Sequence, residues 1–184
     1  MIFGQPKQIP DGRYYLKVTS DEGSKVYIQL NNVTMVTPFA SSETITLTLK
    51  NSDTITSIDN EVVEASKVNS TSWFGKEVQA KTLEAAYSRS VDSNNTMNVS
   101  KATANGKVNT TAFDHTKQQI DPNTLDENTT CDILLEFSGV WFMKKTFGPI
   151  WRIVQVRLKK PVKVVTYMFK DEEDADEEND SDYV

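Results

Sequence analysis

Short segments in which apolar and polar residues alternate set the strongest limit on how this chain can fold. The clearest is TITLTLK at 44–50, where Ile45, Leu47 and Leu49 point one way and polar residues point the other. Further strands are predicted at 13–18, 26–30, 33–36, 132–138, 140–145, 150–158 and 162–169. A period of two is typical of half-buried strands, and strands this short favour a meander or barrel over βαβ units.

Turns and loops are predicted between these strands. Asn31-Asn32 and Gly148-Pro149 are interpreted as turns, because asparagine and glycine tolerate the backbone angles of tight turns and proline presets one of them. Residues 92–111 are rich in Asn, Ser and Thr and predict a long loop with a loose hairpin, and residues 122–130 predict a polar connector.

One or two helices are predicted within 58–90, between the two β regions. Asp59 is the expected N-cap of a helix through 61–67, and Thr82 is the expected N-cap of a helix that ends at residue 90. Between them, the aromatic pair in Trp73–Gly75 is expected to pack the helical layer onto the sheet.

A reversal of charge near the C-terminal end points to an anionic partner. Residues 137–170 contain eight Lys or Arg and no Asp or Glu, and aromatic residues lie among them. Residues 171–184, DEEDADEENDSDYV, then hold nine acidic residues and no basic one. The whole chain has a net charge of −6, whereas residues 1–170, with twenty basic and seventeen acidic residues, carry +3. Because basic side chains attract phosphates and exposed rings stack on unpaired bases, this pattern favours binding of single-stranded nucleic acid.

The candidate site residues come from this basic stretch and carry either a positive charge or an aromatic ring. Phosphate contacts are predicted for Lys144, Lys145, Arg152, Arg157, Lys159, Lys160 and Lys163. Base stacking is predicted for Trp141, Phe142, Phe147 and Trp151, with Tyr167 behind them. Each ring has a second interpretation, because aromatic residues in strands are commonly core residues and lysines can line a solvated edge.

The acidic segment also has two interpretations, as a solubilising tail or as a functional one. It ends in the candidate partner-binding residues Asp180, Asp182, Tyr183 and Val184, and a purely solubilising tail needs no such aromatic and aliphatic anchor. We expect this tethered polyanion to compete for the basic surface when nucleic acid is absent and to bind a partner when displaced. Its composition predicts disorder in the free state.

Signals for catalysis, metal binding or export are weak. His115 is the only histidine and Cys131 the only cysteine, and the chain has no metal-ligand cluster, phosphate-binding loop or nucleophile elbow. We therefore expect no enzymatic activity, no metal and no cofactor. The start, MIFGQPKQIPDGR, lacks the pattern of a signal peptide, and no run approaches the roughly 18 apolar residues of a membrane span. The expectation is a protein that is neither secreted nor membrane-bound.

The segment CDILLEFSGVWFMKKTFGPIWRIVQVRL at 131–158 resembles the signature of a viral protein family. It is similar to single-stranded DNA-binding proteins of nucleocytoplasmic large DNA viruses, which are themselves similar to the acidic-tailed OB-fold single-stranded DNA-binding proteins of podophages. The pattern G-x-W-F-x-K-K-x-F-G-x-x-W-x-x-x-Q at Gly139–Gln155 carries the resemblance, with looser agreement at 60–76. The resemblance implies an OB-fold with a helical insertion, no catalysis, and a role in viral DNA replication, recombination or repair. It also implies that the tail contacts DNA polymerase or other replication proteins.

These features together predict a mainly β protein, with a five-stranded OB-type barrel and a helical insertion at 1–170 and a disordered acidic tail at 171–184. We expect it to bind single-stranded DNA without sequence preference in an infected host cell, at the site of viral DNA replication in the nucleus or a cytoplasmic virus factory. A homodimer is left open. A virion structural or protein-interaction β-barrel is the alternative, and an RNA-binding module is a third reading.

Overall fold

The computed structural model describes residues 1–10 and 12–160. Some predictions concern residues outside this range: the strand at 162–169, Lys163, Tyr167, the domain boundary at 170, and the tail with Asp180, Asp182, Tyr183 and Val184. These stay predictions.

The described residues form β-strands of two to thirteen residues, three α-helices and two 3-10 turns. The strands are β1 (Ile2–Phe3), β2 (Lys7–Gln8), β3 (Tyr14–Thr19), β4 (Val26–Met35), β5 (Thr44–Thr48), β6 (Thr96–Lys101), β7 (Thr103–Ala104), β8 (Lys107–Val108), β9 (Thr111–Phe113), β10 (Gln119–Ile120), β11 (Thr130–Phe142) and β12 (Phe147–Leu158). The helices are α1 (Asp53–Val68), α2 (Ser70–Phe74) and α3 (Ala80–Ala86), and the 3-10 turns are Phe39–Ser41 and Pro122–Thr124. Among these helices, none is long and apolar enough to cross a membrane.

Strands β4, β5, β6, β12 and β11 form a closed ring in that order. All neighbours in the ring are antiparallel except β6 and β12, which run parallel where Ser100 and Lys101 meet Arg152 and Ile153. A five-stranded ring with its one parallel pair between the third and fifth strands is the arrangement of an OB barrel. The predicted fold class, mainly β with an OB-type barrel and a helical insertion, is therefore confirmed.

The barrel interior is filled by every second residue of the ring strands. On β5, Ile45 and Leu47 are fully buried while the threonines between them face outwards, as the alternation of this segment predicts. Leu135 and Ile153 meet across β11 and β12 and are also fully buried. The predicted alternation along β12 breaks at Val154, an extra residue in the pairing with β11, so Val156 rather than Gln155 faces inwards.

The helical insertion lies between β5 and β6, and its helices begin earlier than predicted. α1 starts at Asp53, so Asp59 is not an N-cap: it lies inside the helix with its side chain buried. Thr82 likewise lies inside α3, whose N-cap is Gln79. α1 extends upstream because its first turns pack Ile55 against the barrel. α3 ends at Ala86 rather than at residue 90. The predicted packing of Trp73 beneath the helical layer is confirmed.

Both predicted turns are wrong, for related reasons. Asn32 does adopt a positive φ of 55°, but as a bulge within one continuous strand, where the pairing of β4 with β11 shifts register. Gly148 and Pro149 lie in β12, and the turn before it is formed by residues 143–146. A strand tolerates a bulge or a proline where the local ladder of hydrogen bonds is already interrupted.

The predicted loop at 92–111 contains a ring strand. β6 buries Met97 and Val99 between polar neighbours and pairs along its length with β5. The loose hairpin predicted in this segment is present as β7 and β8, joined by Asn105-Gly106 with both residues at positive φ. The strand was missed because four of its six residues are polar or charged.

Candidate nucleic-acid interface

Beyond Phe137, strand β11 changes its partner from β4 to β3. β3, the end of β11 and the start of β12 then form a three-stranded patch that we call the hairpin sheet (residues 14–17, 139–142 and 147–150). The residues that join β11 to β12, Met143–Thr146, are called the hairpin tip. The tip corresponds to the loop between the fourth and fifth strands of an OB barrel, a common place for oligonucleotide contacts.

The two faces of the hairpin sheet carry different residues. Tyr14, Phe142 and Phe147 share the inner face, which packs against the helical layer through Trp73 and Phe74. The outer face carries the residues next to these in sequence, because successive side chains of a strand alternate. Tyr15 and Trp141 are directly opposite each other there and are both half-buried.

Two glycines of the sequence motif make room for these rings. A Cβ built at Gly148 would lie 2.9 Å from Cζ2 of Trp141, and a Cβ at Gly139 would lie 2.4 Å from Cε2 of Tyr15. Each ring therefore rests against the backbone of the neighbouring strand. The Tyr15 hydroxyl also donates a 2.6 Å hydrogen bond to the carbonyl of Ser138, which fixes the ring. The result is a pair of adjacent, oriented aromatic rings on an outer surface.

Basic side chains surround this pair. Lys17 is exposed on the outer face of β3, and Arg152 lies near enough to Tyr15 to affect its pKa. Burial raises the pKa of the Tyr15 phenol, so the hydroxyl stays protonated at neutral pH although Arg152 opposes the shift. Glu136 also lies near Tyr15, and Lys25 forms a 3.0 Å ion pair with its carboxylate. Lys17 and Arg152 thus place positive charge beside Tyr15.

A cleft of about 530 Å³ adjoins Trp141 and contains residues that sequence reasoning missed. Arg89 and Asn98 line it together with Pro149, and Asp92 lies on its wall with its carboxylate bonded to Thr96. The guanidinium of Arg89 donates a 3.0 Å hydrogen bond to Oδ1 of Asn60, a neutral group. Arg89 gave no signal in the sequence because it is an isolated charge 52 residues before Trp141.

The structure divides the predicted aromatic residues into two groups. Trp141 is accessible on the outer face, whereas Phe142, Phe147 and Trp151 are at most 7% exposed. Phe142 and Phe147 pack against Phe74, and Trp151 packs on Phe137 with ring centroids 4.9 Å apart. The expectation that these three rings stack on bases is therefore corrected: their faces are already covered by other rings.

The predicted phosphate contacts also fall into two separate groups. Lys144 and Lys145 are exposed in the tip and Arg152 is partly buried near Tyr15, whereas Arg157, Lys159 and Lys160 lie at the far end of β12. Strand β12 spans about 35 Å at roughly 3.3 Å per residue, so the far group does not meet the tip.

Asp132 holds two members of the far group. Arg157 and Lys159 each approach its buried carboxylate to 2.6 Å, and the backbone N–H of Asn32 donates to it at 3.1 Å. Burial pushes the pKa of Asp132 upwards, but the hydrogen bonds from Lys159, Arg157 and Asn32 outweigh it and lower the pKa. One carboxylate thus pairs with two cations, so the group keeps one uncompensated positive charge and the charge pattern overstated the number of free cations at this end of β12.

No group of three or more His, Cys, Asp or Glu that could hold a metal ion occurs within residues 1–10 and 12–160. Cys131 is fully buried in β11, and burial together with neighbouring Asp132 raises the pKa of its thiol to about 12. The thiol is therefore protonated and enclosed in the folded protein.

Comparisons with known proteins give similar structures at low sequence identity. A single-stranded DNA-binding protein from bacteriophage Enc34 in complex with ssDNA is 11% identical, with 88% of this chain and 97% of that chain covered and a TM-score of 0.47. A second structure of the single-stranded DNA-binding protein from bacteriophage Enc34 is 11% identical over 95% and 99% of the two chains, and one of its C-terminal truncation is 10% identical over 88% and 96%, both with TM-scores of 0.47. No curated protein matches the chain. The model described as "Family of unknown function (DUF5871)" matches residues 31–172. Since the match covers most of the sequence, the chain belongs to this family.

Proposed function

We propose that this protein binds single-stranded DNA without sequence preference, and that the outer face of the hairpin sheet is the contact surface. The observation that carries the proposal is the pair of oriented rings, Tyr15 and Trp141, beside Lys17, Arg152 and the Lys144–Lys145 tip. Rings that are held against the backbone lose little freedom when a base stacks on them. Stacking on rings reads no base edge, so it tolerates every sequence.

Each class of residue has a separate role in this proposal. A base stacked on Trp141 contributes about 1–3 kcal/mol, and Tyr15 extends the platform on one side. The cations neutralise phosphates, and four such contacts give a slope of log K against log salt of roughly −3. Arg89 and Asn98 provide a further cation and an amide in the cleft beside Trp141.

The decisive experiment is a titration of tryptophan fluorescence with oligo-dT, repeated for variants. Trp141→Ala should lower affinity by about 1–3 kcal/mol with an unchanged salt slope, and Trp141→Phe should retain most of the affinity because a ring remains. Lys144→Ala with Lys145→Ala should reduce the magnitude of the slope by about 1.4. The matched control is Lys50→Ala with Lys107→Ala, two exposed lysines outside the hairpin sheet, which should leave the slope unchanged.

Two outcomes would reject the proposal. One is equal or tighter binding of duplex of the same length, because stacking requires unpaired bases. The other is a folded Trp141→Ala variant with unchanged affinity. A competition between DNA and RNA of equal length distinguishes the RNA-binding alternative.

The biological setting forms part of the same proposal. Protection of single strands suits a role in viral DNA replication, recombination or repair at the replication site of an infected cell, as the resemblance to proteins of large DNA viruses implies. The acidic segment at 171–184 would compete for the cationic surface, and Asp180, Asp182, Tyr183 and Val184 would bind DNA polymerase or another replication protein. Replacing the nine carboxylates by amides in the full chain should raise affinity for oligo-dT most at low salt, since salt screens the competitor as well.

A further inference from the structure

The inner face of the hairpin sheet carries a second opening that the proposed interface does not use. It is a groove of about 1020 Å³ between the hairpin tip, the start of β3 and the end of α2. Arg13, Tyr14, Phe74, Met143 and the two tip lysines line it, and we call it the tip groove. Small-molecule pockets measure about 300–1,000 Å³, so this groove has room for more than one nucleobase.

The floor of the tip groove is a fixed aromatic cluster. The ring of Phe142 meets those of Trp73 and Phe74 edge-on, with centroids 5.9 and 5.5 Å away. Such edge-to-face contacts hold rings in defined orientations. Gly75, the residue that follows α2, lines the groove with a φ of 72°, a left-handed angle that suits glycine and ends the helix there.

Two large apolar side chains at the rim remain exposed to water. Tyr14 is 46% exposed and Met143 is 61% exposed, although both border the buried cluster. A tyrosine ring beside a flexible thioether suits contact with flat ligands of varied shape, because methionine adapts to irregular partners and contacts aromatic rings favourably. The rim thus offers one ring and one adaptable side chain to an occupant that is itself flat.

The charge of the groove limits what that occupant can be. Arg13, Lys144 and Lys145 line it, and no acidic residue is among the lining residues within the described range. The two exposed tip lysines favour an anionic ligand, whereas the rim and the floor favour flat apolar groups, and a polyanion with flat apolar groups would satisfy both. A single strand of nucleic acid has this combination.

The groove is continuous with the proposed interface. Tyr14 and Tyr15 are consecutive residues on opposite faces of β3, and the tip with Lys144 and Lys145 directly follows Trp141 and Phe142, which pair with these two tyrosines. A strand that stacks on Trp141 and passes the tip lysines therefore arrives at Tyr14. We propose that the tip groove is a second subsite for the same single strand, in which Tyr14 and Met143 contact unpaired bases. This inference rests on the proposed function and extends its path around the hairpin.

The test is a length series of oligo-dT from about 4 to 16 nucleotides, the range of site sizes of single OB folds. Intact protein should gain affinity with length until both subsites are filled. Tyr14→Ala should bind the shortest oligomers like the intact protein and lose about 5- to 150-fold at the longest, and Tyr14→Phe should keep the gain because the ring remains. Trp141→Ala should lose affinity at every length.

The results separate the two proposals. If Tyr14→Ala matches the intact protein at all lengths, or loses equally at all lengths, the second subsite is wrong while the Trp141 result stands. If Trp141→Ala does not change the affinity for oligo-dT at any length, the proposed function itself is rejected, and the second subsite with it.

A measurement on protein in which Tyr14 is unchanged guards against the possibility that Tyr14→Ala misfolds. In full-length protein labelled at the methionine methyls, the Met143 signal, assigned with Met143→Leu, should shift with long oligo-dT and stay in place with the shortest. The same measurement is repeated with a peptide of sequence 171–184 in place of oligo-dT. A Met143 shift with this peptide and none with long oligo-dT would assign the groove to an acidic peptide and overturn the inference.

Discussion

Gly139 and Gly148 each leave room for an aromatic ring on a neighbouring strand, but a Cβ at the two positions would contact different atoms. At Gly148 the nearest atoms to an added Cβ are Cζ2 of Trp141 at 2.9 Å and the carbonyl oxygen of Ser88 at 3.0 Å. At Gly139 the nearest atom is the backbone oxygen of Leu16, at 2.1 Å, in the paired strand β3. A side-chain ring can move aside, whereas a paired backbone moves only if the sheet separates.

Alanine at these two positions should therefore have separable effects. Gly148→Ala should displace the Trp141 ring and weaken oligo-dT binding with a stability loss of about 1 kcal/mol. Gly139→Ala should cost about 3 kcal/mol or more, because it forces β3 away from β11. Urea denaturation beside the oligo-dT titration measures both. A Gly139→Ala protein as stable as the original would show that the close approach of Leu16 and Tyr15 is not needed.

Asp132 predicts a dependence of stability on acid pH. Its pKa is lowered in the folded state, so its stabilisation is fully present above its unfolded value of about 3.9 and is lost as pH falls through the folded value. Asp132→Asn should lose about 2 kcal/mol at pH 7, a moderate figure since Arg157 and Lys159 are partly exposed. The difference from the original protein should shrink towards pH 3 in urea denaturation. A constant difference across that range would contradict this account.

At the scale of elements, the helical insertion is attached to the barrel through Asp59. This buried carboxylate accepts hydrogen bonds from the Tyr87 hydroxyl at 2.7 Å and from the N–H and hydroxyl of Ser90 at 2.8 and 2.6 Å. The Ser90 hydroxyl oxygen in turn accepts from the indole N–H of Trp151, at 2.8 Å. Helix α1, the segment after α3 and strand β12 are thereby joined in one network.

Removing the Asp59 carboxylate should weaken the attachment of the helical insertion to the barrel. Asp59→Ala leaves two hydroxyls and a backbone N–H without their acceptor, and we expect a loss of about 3 kcal/mol in the free energy of unfolding. Ser57→Ala, an exposed position on the same helix, is the matched control and should change stability by less than about 0.5 kcal/mol. Equal free energies of unfolding for the two variants would mean that the hydrogen bonds to Asp59 add nothing to stability.

The elements also show what the sequence could and could not predict. β5 was predictable because its alternation is complete, and β6 was missed because Met97 and Val99 stand alone among polar residues. The faces of the aromatic residues were not predictable, since an extra residue at Ser138 changes the parity of β11. Phe137 and Trp141 are four residues apart and would share a face in a regular strand, yet one is buried and the other is accessible. The charge pattern pointed to the stretch that contains Trp141 and the tip lysines of the proposed interface, but only the fold separates these lysines from Arg157 and Lys159, which pair with Asp132.

At the scale of the whole molecule, Cys131 is a probe of global opening. Its thiol is fully buried in the central strand β11, and burial raises its pKa to about 12. A thiol reagent at pH 8 should therefore react slowly with the folded protein and at the rate of a free thiol in urea. Since the folded pKa exceeds the unfolded value of about 8.5, the unfolded state loses its proton first, and stability should fall as pH rises above that value. Fast labelling in buffer would reveal that β11 opens locally. The Cys131→Ala variant, which has no thiol, is the negative control.

The pairing of β11 with strands from the start of the chain has a consequence for how the protein is made. Asn32 and Asp132 are joined by a hydrogen bond across 100 residues, and Lys25 and Glu136 by one across 111. Contacts this distant in sequence make folding slow, because a long loop must close before its contacts can form. During synthesis, β3 and β4 leave the ribosome well before their partner exists. Their edges towards β11 stay unpaired until that strand, which ends at Phe142, has been translated, and we expect the nascent chain to depend on chaperones over that interval.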